Sequence, residues 1–373
     1  MNKSKVYFIN FRTRTDMNIL DKLEKLIKKA GIENIDFKNK FTALKIHFGE
    51  PGNMAYIRPN YVKRIADLVK KQGGLPFLTD TNTLYVGRRA NAVSHLEAAA
   101  ENGFNQITTG VNVIIADGLK GSDYTEIPIN AKHVKSAKIG TVIADADILI
   151  SINHFKGHEL AGFGGALKNL AMGCGSRGGK LEMHSASKPE ISEAACISCG
   201  ICKKNCSQDA ISFNINKKAQ IDHAKCTGCG QCIAMCMYGA ANLEWNEAFE
   251  TASEKIAEYA WAAVKDKPCF HINFLMDISP NCDCWSNNDV PVVPNLGIAA
   301  SFDAVALDRA CIDMVNAAPV MKGSVLDDKG DCHNHEPFNK FEKIYPGVKW
   351  ESCLKHGEEL GMGTQNYELV NID

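Results

Sequence analysis

The sequence predicts an α/β protein with a mostly parallel sheet, interrupted by a small two-cluster ferredoxin-like α+β insert. Three observations lead to this fold class. Short apolar runs alternate with amphipathic helical periods in the first half of the chain, a tandem of cysteines follows, and helix and strand patterns then return. Alternating strands and helices are typical of parallel sheets. We therefore expect an α/β domain in two parts, residues 1–187 and 246–373, with the insert at residues 188–245.

The first part of the α/β domain supplies most of the predicted sheet. Glycines follow three of its helical patterns directly, at 31, 73–74 and 103, where a residue in the left-handed conformation would end each helix. After the insert we expect a helix at 248–264, a strand at 270–276 and a helix at 304–315. The elements predicted before the insert are strand 6–11, helix 19–30, strand 43–48, helix 59–71, strand 76–80, helix 89–102 and strands 111–116 and 148–152.

The cysteine tandem predicts two [4Fe-4S] clusters. Eight of the 15 cysteines lie in the runs Cys196-x-x-Cys199-x-x-Cys202-x-x-x-Cys206 and Cys226-x-x-Cys229-x-x-Cys232-x-x-x-Cys236. In two-cluster ferredoxins the fourth cysteine of each run ligates the other cluster. The expected ligand sets are therefore Cys196, Cys199, Cys202 and Cys236 for one cluster, and Cys226, Cys229, Cys232 and Cys206 for the other.

Two other uses of these cysteines fit less well. A tetrahedral zinc site has no need of the third C-x-x step in each run, and disulfides suit small secreted domains rather than a long chain without an export signal. Ser207 and Met237 stand where the bacterial ferredoxin pattern has proline, which leaves the ligand set unchanged.

A glycine-rich segment from His154 to Asn169 follows the strand expected at 148–152. Open α/β sheets bind ligands at the carboxyl ends of their strands, so we expect a titratable pocket here. Its candidate catalytic residues are Lys156, His158, Lys168 and His184. Its candidate cofactor- or anion-binding residues are Gly164 and Gly165 at a helix start, together with Arg177 and Lys180. The alternative is a glycine-rich turn with surface histidines.

Residues 173–178 formally match the dinucleotide-binding pattern G-x-G-x-x-G. The pattern requires a strand before it and a helix after it, whereas these residues follow a helical period. We therefore do not expect a nucleotide site there.

Cys282-Asp-Cys284 is expected in a loop, since it follows a predicted strand and Pro280. With Cys174 the pair could hold a third metal or cluster, or it could be a redox-active or substrate-contacting thiol pair. Buried free cysteines without any role are the alternative. Polar residues at other strand ends, at 47–50, 80–89 and 117, are expected to line the same crevice.

Composition restricts the partners. A net charge of -1 and a pI near 6.8 argue against nucleic acid or an anionic membrane as partner. Neither a signal peptide nor a membrane-spanning run is visible, so we expect a cytoplasmic protein that exchanges electrons with a redox protein and acts on a small anionic substrate. Clusters that react with oxygen indicate an anaerobic host.

The chain resembles a family of iron–sulfur proteins, enriched in anaerobes, whose α/β domain carries only a domain-of-unknown-function label and often contains an inserted ferredoxin unit. This resemblance implies the fold and clusters described above, but no reaction. The motifs that carry it are Lys45-Ile-His-Phe-Gly-Glu50, Tyr56-Ile-Arg-Pro59, Asp80-Thr-Asn-Thr-Leu-Tyr85, Asp117-Gly118, Lys156-Gly-His158, Gly164-Gly-Ala-Leu-Lys-Asn169, Met172-Gly-Cys174, Gly179-Lys180, Met183-His184, the two cysteine runs and Cys282-Asp-Cys284.

The Gly164-Gly165-x-x-Lys168 loop with its flanking histidines is also similar to a loop of the nickel-pincer lactate racemase catalytic subunit, where lysine and histidine hold the cofactor. That likeness covers a few dozen residues and points to the position of the crevice.

The functional hypothesis is an oxidoreductase in which single electrons pass through two [4Fe-4S] clusters to a second site in the crevice. Two alternatives remain open at this stage. One is a plain electron carrier whose α/β domain is a docking scaffold, and the other is a metallocluster assembly protein.

Overall fold

The computed structural model describes residues 3–85, 87–184, 188–206, 208–226, 231–236, 238–242, 249–330 and 338–372. Its centre is an eight-stranded mixed sheet with helices on both faces, which confirms the predicted α/β class. The strands of this sheet are β1 Ser4–Asn10, β2 Phe41–Lys45, β3 Leu75–Asp80, β4 Val113–Ile115, β7 Ile148–His154, β14 Cys269–Leu275, β15 Gly297–Ser301 and β16 Tyr367–Asn371.

Five neighbouring strands of the sheet are parallel. The spatial order is β16-β1-β15-β14-β7-β2-β3-β4, and the run from β14 to β4 is parallel throughout. Strand β15 is antiparallel to both of its neighbours, and β16 runs parallel to β1 at the edge. Strands from before and after the cysteine tandem therefore belong to one sheet, and the carboxyl ends of β2, β3, β7 and β14 meet at one edge.

Helices cover both faces of the sheet because alternate strand residues point to opposite sides. Ile148, Ile150 and Ile152 pack with the first two helices on one face, while Leu149 packs with α6, α10 and α11 on the other. The helices are α1 Ile19–Lys29, α2 Pro59–Lys71, α3 Ala92–Glu101, α4 Gln106–Thr109, α5 Thr141–Asp145, α6 Ala166–Cys174, α7 Arg177–His184, α8 Ile201–Lys204, α9 Gln231–Met235, α10 Phe249–Val264, α11 Ala304–Ala317, α12 Val325–Asp328, α13 Lys340–Ile344 and α14 Trp350–Glu359, with a 3-10 turn at Ile32–Asn34.

Local signals account for the first helices. Asn18 caps α1, because its side-chain oxygen accepts hydrogen bonds from the amides of Leu20 and Asp21. The carboxylate of Asp21 in turn accepts a hydrogen bond from the amide of Asn18. Helix α2 begins with Pro59 at a position where its missing N–H costs nothing. Both helices bury one apolar face against the sheet.

The cysteine tandem lies in a region of short elements with its own pairings. These are β10 Glu190–Ile191 with β13 Ala241–Asn242, and β11 Ile211–Phe213 with β12 Ala219–Ile221, in two antiparallel ladders. A small apolar cluster, which we call the insert cluster, contains Cys196 and Cys232 and also Leu84 and Leu181 of the α/β part. The tandem therefore packs directly on the main domain.

Two further antiparallel ladders of the main domain lie outside the central sheet. They join β5 Tyr124–Pro128 to β6 Ser136–Gly140, and β8 Lys156–His158 to β9 Gly162–Gly164. Within the described ranges, none of the helices is both long and apolar enough to span a lipid bilayer.

Candidate functional site

The candidate site lies where strands β7 and β14 end beside β2 and β3. Strand β14 leads to Cys282, β7 leads through His154 to the β8–β9 ladder, and helix α6 begins just after that ladder. Gly157 permits the close approach of β8 to the segment after β14, because a Cβ there would lie 2.1 Å from the carbonyl oxygen of Pro280. This contact brings His158 next to Cys282.

Cys282 and Cys284 form a hydrogen-bonded thiol pair. A turn holds them, since the amide of Trp285 donates to the carbonyl of Cys282 at 3.1 Å. Cys282 is 1% exposed, and the Nζ of Lys168 lies 3.1 Å from its Sγ. The thiol of Cys284 donates to the sulfur of Cys282, which is also hydrogen bonded to His158.

These contacts divide the pair into a thiolate and a thiol. The hydrogen bond from Cys284, followed by the positive charge of Lys168, holds the pKa of Cys282 well below its usual range, although burial opposes this shift. The bond to Cys282, together with burial, raises the pKa of Cys284 well above that range. Burial alone would lower the pKa of Lys168, but the neighbouring sulfur of Cys282 raises it. The contacts therefore favour the thiolate at Cys282, beside the ammonium group of Lys168.

Asp283 anchors the turn between the two cysteines. Its carboxylate is bound by the Nδ1 of His154 at 2.8 Å and the Nζ of Lys156 at 3.1 Å, and its carbonyl accepts from the amide of Glu50 at 3.0 Å. Burial disfavours its charged form, yet His154 and Lys156 hold its pKa well below the usual range. The sequence-predicted Lys156 is thus a neighbour of the thiol pair through Asp283.

A buried network of charges connects this turn to the ends of β2 and β3. The Nε of Arg89 lies 2.8 Å from Glu50, and Lys45 lies 3.0 Å from Asp80 and 2.7 Å from the side-chain oxygen of Asn169. Close to these charges, Tyr85 hydrogen bonds with Cys284, and burial raises the pKa of this tyrosine well above its usual range. The strand-end residues therefore form one buried polar network.

The four candidate catalytic residues are brought together. Lys168 and His158 contact Cys282, Lys156 contacts Asp283, and His184 lies at the end of α7 near His158, Lys168 and Cys282. Burial, reinforced by His158 and Lys168, lowers the pKa of His184 to about 3, so this imidazole is neutral at physiological pH.

The expected anion cradle at Gly165 is filled by the protein itself. Asp308 of α11 accepts hydrogen bonds from the amides of Ala166 at 2.8 Å and Leu167 at 2.9 Å, which are the first donors of α6. A Cβ on Gly165 would lie 2.3 Å from the Oδ1 of Asp308. Gly164 lies in β9, between the side chains of Lys156 and Lys168, and so permits their close packing. The helix terminus is capped by a carboxylate and holds no free anion site.

Arg177 and Lys180 also differ from the expected anion binders. Arg177 is fully buried and donates to the carbonyls of Thr83, at 2.9 Å, and of Lys120 and Ala90. Lys180 donates to the carbonyl of Gly175 at 2.8 Å and contacts the hydroxyl of Thr81. Both side chains tie loops of the crevice together. Helix α6 extends into residues 173–178 and ends at Cys174, so a helix rather than a strand leads into this segment, in agreement with rejecting a dinucleotide motif there.

Cys174 does not join the Cys282 pair. The charges that act on it are those of Lys45, Asp80, Lys267 and Lys180, and it in turn acts on Cys269. No group of three or more His, Cys, Asp or Glu side chains in the described ranges is arranged to hold a single metal ion. The third metal site at Cys174, Cys282 and Cys284 stays a prediction.

One cavity in the tandem is lined by Cys196, Cys199, Cys202 and Cys236. Its volume is about 360 Å³, including space open to solvent. The three other cysteines all act on the pKa of Cys202, which burial raises. Two backbone amides donate hydrogen bonds to these sulfurs. The amide of Ser198 donates to the Sγ of Cys196 at 3.4 Å, and the amide of Ala241 donates to the Sγ of Cys236 at 3.4 Å. The fourth cysteine of the second run thus lies with the first three of the first run.

The other predicted ligand set is described only in part. Cys229 lies outside the described residues. Cys206 accepts a hydrogen bond from the amide of Ala210 at 3.3 Å, Cys226 is half-buried, and Cys232 belongs to the insert cluster beside Cys196.

Sequence reasoning missed two functional side chains, Asp283 and Asp308, as contributors in their own right. The sequence did contain a signal for Asp283, because an acidic residue between two cysteines can pair with basic residues predicted to lie close to them. Asp308 carried none, since its contacts with α6 span more than 140 residues of sequence.

The fold and the site define a class of protein: an α/β domain with a buried thiol pair, on which a cysteine-rich segment packs. The chain belongs to the family described as Domain of unknown function (DUF362), which matches residues 42–313. No curated protein matches the chain.

Two solved structures are similar to the chain at low identity. One is the lactate racemase apoprotein from Thermoanaerobacterium thermosaccharolyticum, with 12% identity and a TM-score of 0.42 over 85% of this chain and 58% of that one. The other is a structural-genomics protein from Thermotoga maritima, with 15% identity and a TM-score of 0.39 over 79% of this chain and 57% of that one. The chain thus spans a little over half the length of either structure.

Proposed function

We propose that this protein is a cytoplasmic iron–sulfur oxidoreductase of anaerobic metabolism. In this proposal a redox protein donates electrons, two [4Fe-4S] clusters in the cysteine tandem conduct them, and the thiol pair at Cys282 and Cys284 is the second site that receives them.

The cavity lined by Cys196, Cys199, Cys202 and Cys236 supports the first cluster. A cubane is held by four cysteines, each on a different iron, so its ligands surround a volume rather than one point. Amide donors to the sulfurs of Cys196 and Cys236 would stabilise the negative charge of a bound cluster and tune its potential. The chemistry that such clusters supply is the transfer of single electrons.

The observation that carries the proposal is the position of Tyr85 between the insert cluster and the thiol pair. Tyr85 packs against the insert cluster, in which Cys196 and Cys232 are buried, and it also hydrogen bonds with Cys284. One side chain therefore links the second site to the apolar cluster that the cysteine-rich segment shares with the α/β domain. A carrier that used the α/β domain only for docking would need no such connection.

The residues around Cys282 would balance the charge that electron transfer brings. Lys168 compensates a thiolate, His158 can exchange a proton with it, and His184 is a neutral imidazole close to both. The crevice would then admit a small anionic substrate beside Lys168 and Lys156.

A metal and sulfide count on anaerobically purified protein tests the clusters. We expect about eight irons and eight sulfides per chain, as two cubanes require. Cys202→Ser and Cys236→Ser should each perturb the same EPR signal, because the proposal assigns both cysteines to one cluster. Cys353→Ala, in the core of the α/β part, is the control and should leave both signals intact. Loss of different signals in the two serine variants would refute the ligand exchange.

The second site needs its own experiment. Cys282→Ala with Cys284→Ala should lower the number of electrons that the protein takes up from a photochemical donor while leaving the iron content unchanged. Equal electron uptake by the double variant and the wild type would indicate that the protein is a plain electron carrier.

A further inference from the structure

We propose that Cys282 and Cys284 are a reversible dithiol/disulfide couple that stores two electrons. This inference rests on the proposed function for the source of its electrons, but the couple itself is argued from the geometry of the turn.

The turn brings the two sulfurs within hydrogen-bonding distance of each other. Residues two apart in an extended chain have Cα atoms about 7 Å apart, and a turn shortens this towards the roughly 4.4–6.8 Å that disulfides span. The thiol of Cys284 already donates a hydrogen bond to the sulfur of Cys282. Neither cysteine is joined in a disulfide in the structure.

The surroundings favour thiol chemistry at this pair over the other buried cysteines. Thiol–disulfide chemistry requires a thiolate, and the ammonium of Lys168 at 3.1 Å compensates one at Cys282. Cys311 and Cys353 lie in apolar core instead. Asp283, held by His154 and Lys156, fixes the turn, so both oxidation states would keep the same backbone position.

The contacts of Cys282 also favour a thiol pair over a metal at this position. Cys282 has His158 as a further neighbour, but its sulfur already lies 3.1 Å from the ammonium of Lys168, whose positive charge would repel a metal cation. In the ranges that the structure describes, no three such ligands converge on one point.

In oxidation the Cys284 S–H bond breaks and the bond between the two Sγ atoms forms. The two electrons pass one at a time to the oxidised form of the redox protein, and one proton leaves to His158 or to solvent. In reduction, two electrons supplied one at a time by the reduced redox-protein donor break the S–S bond and regenerate the Cys282 thiolate. One proton, delivered through His158 or from solvent, restores the Cys284 thiol. Lys168 keeps its proton in both states.

Thiol trapping on the full-length protein tests the couple directly. The protein is equilibrated anaerobically in mixtures of reduced and oxidised dithiothreitol, alkylated under denaturing conditions and analysed by mass spectrometry. We expect Cys282 and Cys284 to lose their labels together over one range of ratios and to give a disulfide-linked peptide. Cys311 and Cys353 should stay labelled throughout, and Cys284→Ser should leave Cys282 labelled at every ratio.

Two results would overturn the inference. One is full labelling of both cysteines at every ratio. The other is a metal ion, beyond about eight irons, that is lost when both cysteines are replaced by serine.

A second measurement separates this inference from the proposed function. Protein whose pair has been oxidised is reduced photochemically, and we expect the wild type to consume two more electron equivalents than the variant with serine at both positions. A disulfide that forms in dithiothreitol mixtures but is never reduced photochemically would support the dithiol/disulfide couple and refute the proposed electron route. Electron uptake that depends on the two cysteines, without any disulfide, would support the electron route and refute the couple.

Discussion

Lys168 and Cys282 lie 114 residues apart in sequence, yet their Nζ and Sγ atoms are 3.1 Å apart. The pair is held by helix α6 on one side and by the turn at Cys282 on the other. An ammonium beside a thiol lowers the thiol pKa by favouring its ionised form. The reactivity of Cys282 therefore depends on a side chain that belongs to a different segment.

Replacing Lys168 by methionine should raise the pKa of Cys282. The thiolate exists above the pKa, so a higher pKa converts thiolate to thiol at neutral and mildly acidic pH. A shift of about 1–3 units is usual for the loss of one adjacent charge, and the alkylation rate of Cys282 at pH 7 should fall by about tenfold or more. The rate is measured by mass spectrometry of the alkylated peptide across the pH range.

Lys29→Met is the matched control because Lys29 is an exposed lysine at the end of α1. It should leave the pH profile of Cys282 unchanged. A profile for Lys168→Met that coincides with the wild type would show that the ammonium has no influence on this thiol.

At the scale of residues, the sequence predicted which side chains lie at the site but not which groups each of them contacts. Lys156, His158, Lys168 and His184 do gather near Cys282, because the segment that carries them follows β7, which ends beside β14. Arg177 behaves differently, because its guanidinium binds backbone carbonyls of loops that only the folded chain brings near. No local pattern separates an arginine that binds a ligand from one that binds the protein.

Helix α6 depends on a cap from another helix. Gly165 precedes it without a side chain, and Asp308 of α11 supplies the acceptors for the amides of Ala166 and Leu167. Asp308 also accepts from the side chain of Asn273 in β14. One carboxylate thus fixes α6, α11 and β14 relative to one another, and with them the position of Lys168.

Asp308→Ala should destabilise the protein by about 2–4 kcal/mol, because it removes a cap and leaves buried amides without an acceptor. The midpoint of urea denaturation, followed by circular dichroism, measures this change. Since Lys168 lies in the first turn of α6, the same variant should also slow the alkylation of Cys282.

Asp313→Ala, in the same helix α11, is the control. Asp313 is about a third exposed and pairs with Arg309, so its loss should cost less than about 1 kcal/mol. Equal midpoints for the two variants would contradict the capping role of Asp308.

The elements that the sequence predicted well are those with local signals. Helix α2 has the predicted bounds, and α1 differs by one residue, because both combine an apolar face with clear ends. Strand β15, Gly297–Ser301, was not predicted, since its small residues resemble a loop and only its two neighbouring strands make it a strand. The β8–β9 ladder was missed for the same reason, as glycines fill much of both strands.

The insert cluster holds the cysteine tandem on the α/β domain. Leu181 of α7 and Leu84 after β3 are almost fully buried in it, beside Cys196 and Cys232. Because its members come from both regions, this cluster fixes the distance between the tandem and the thiol pair. Electron transfer between them would depend on this packing.

Leu181→Ala should therefore loosen the tandem without unfolding the main sheet. Loss of a buried leucine costs about 2–5 kcal/mol, here concentrated at the contact between the two regions. Limited proteolysis under anaerobic conditions should release a fragment near residues 188–242 several times faster than in the wild type.

Leu170→Ala, in the core between α6 and the sheet, is the comparison. It should lower the stability of the α/β domain and accelerate cleavage throughout the chain rather than around the tandem. Identical cleavage patterns for the two variants would mean that Leu181 does not anchor the tandem specifically.

The placement of β1 between β15 and β16 has a consequence for how the protein is made. Strand β1 is synthesised well before both of its partners, which follow the cysteine tandem in the chain. At about 5–20 residues per second, the ribosome completes β16 on the order of 20–70 s after β1. The cysteine tandem emerges well before β14 to β16 exist, so iron could be loaded into a nascent chain whose central sheet is still three strands short.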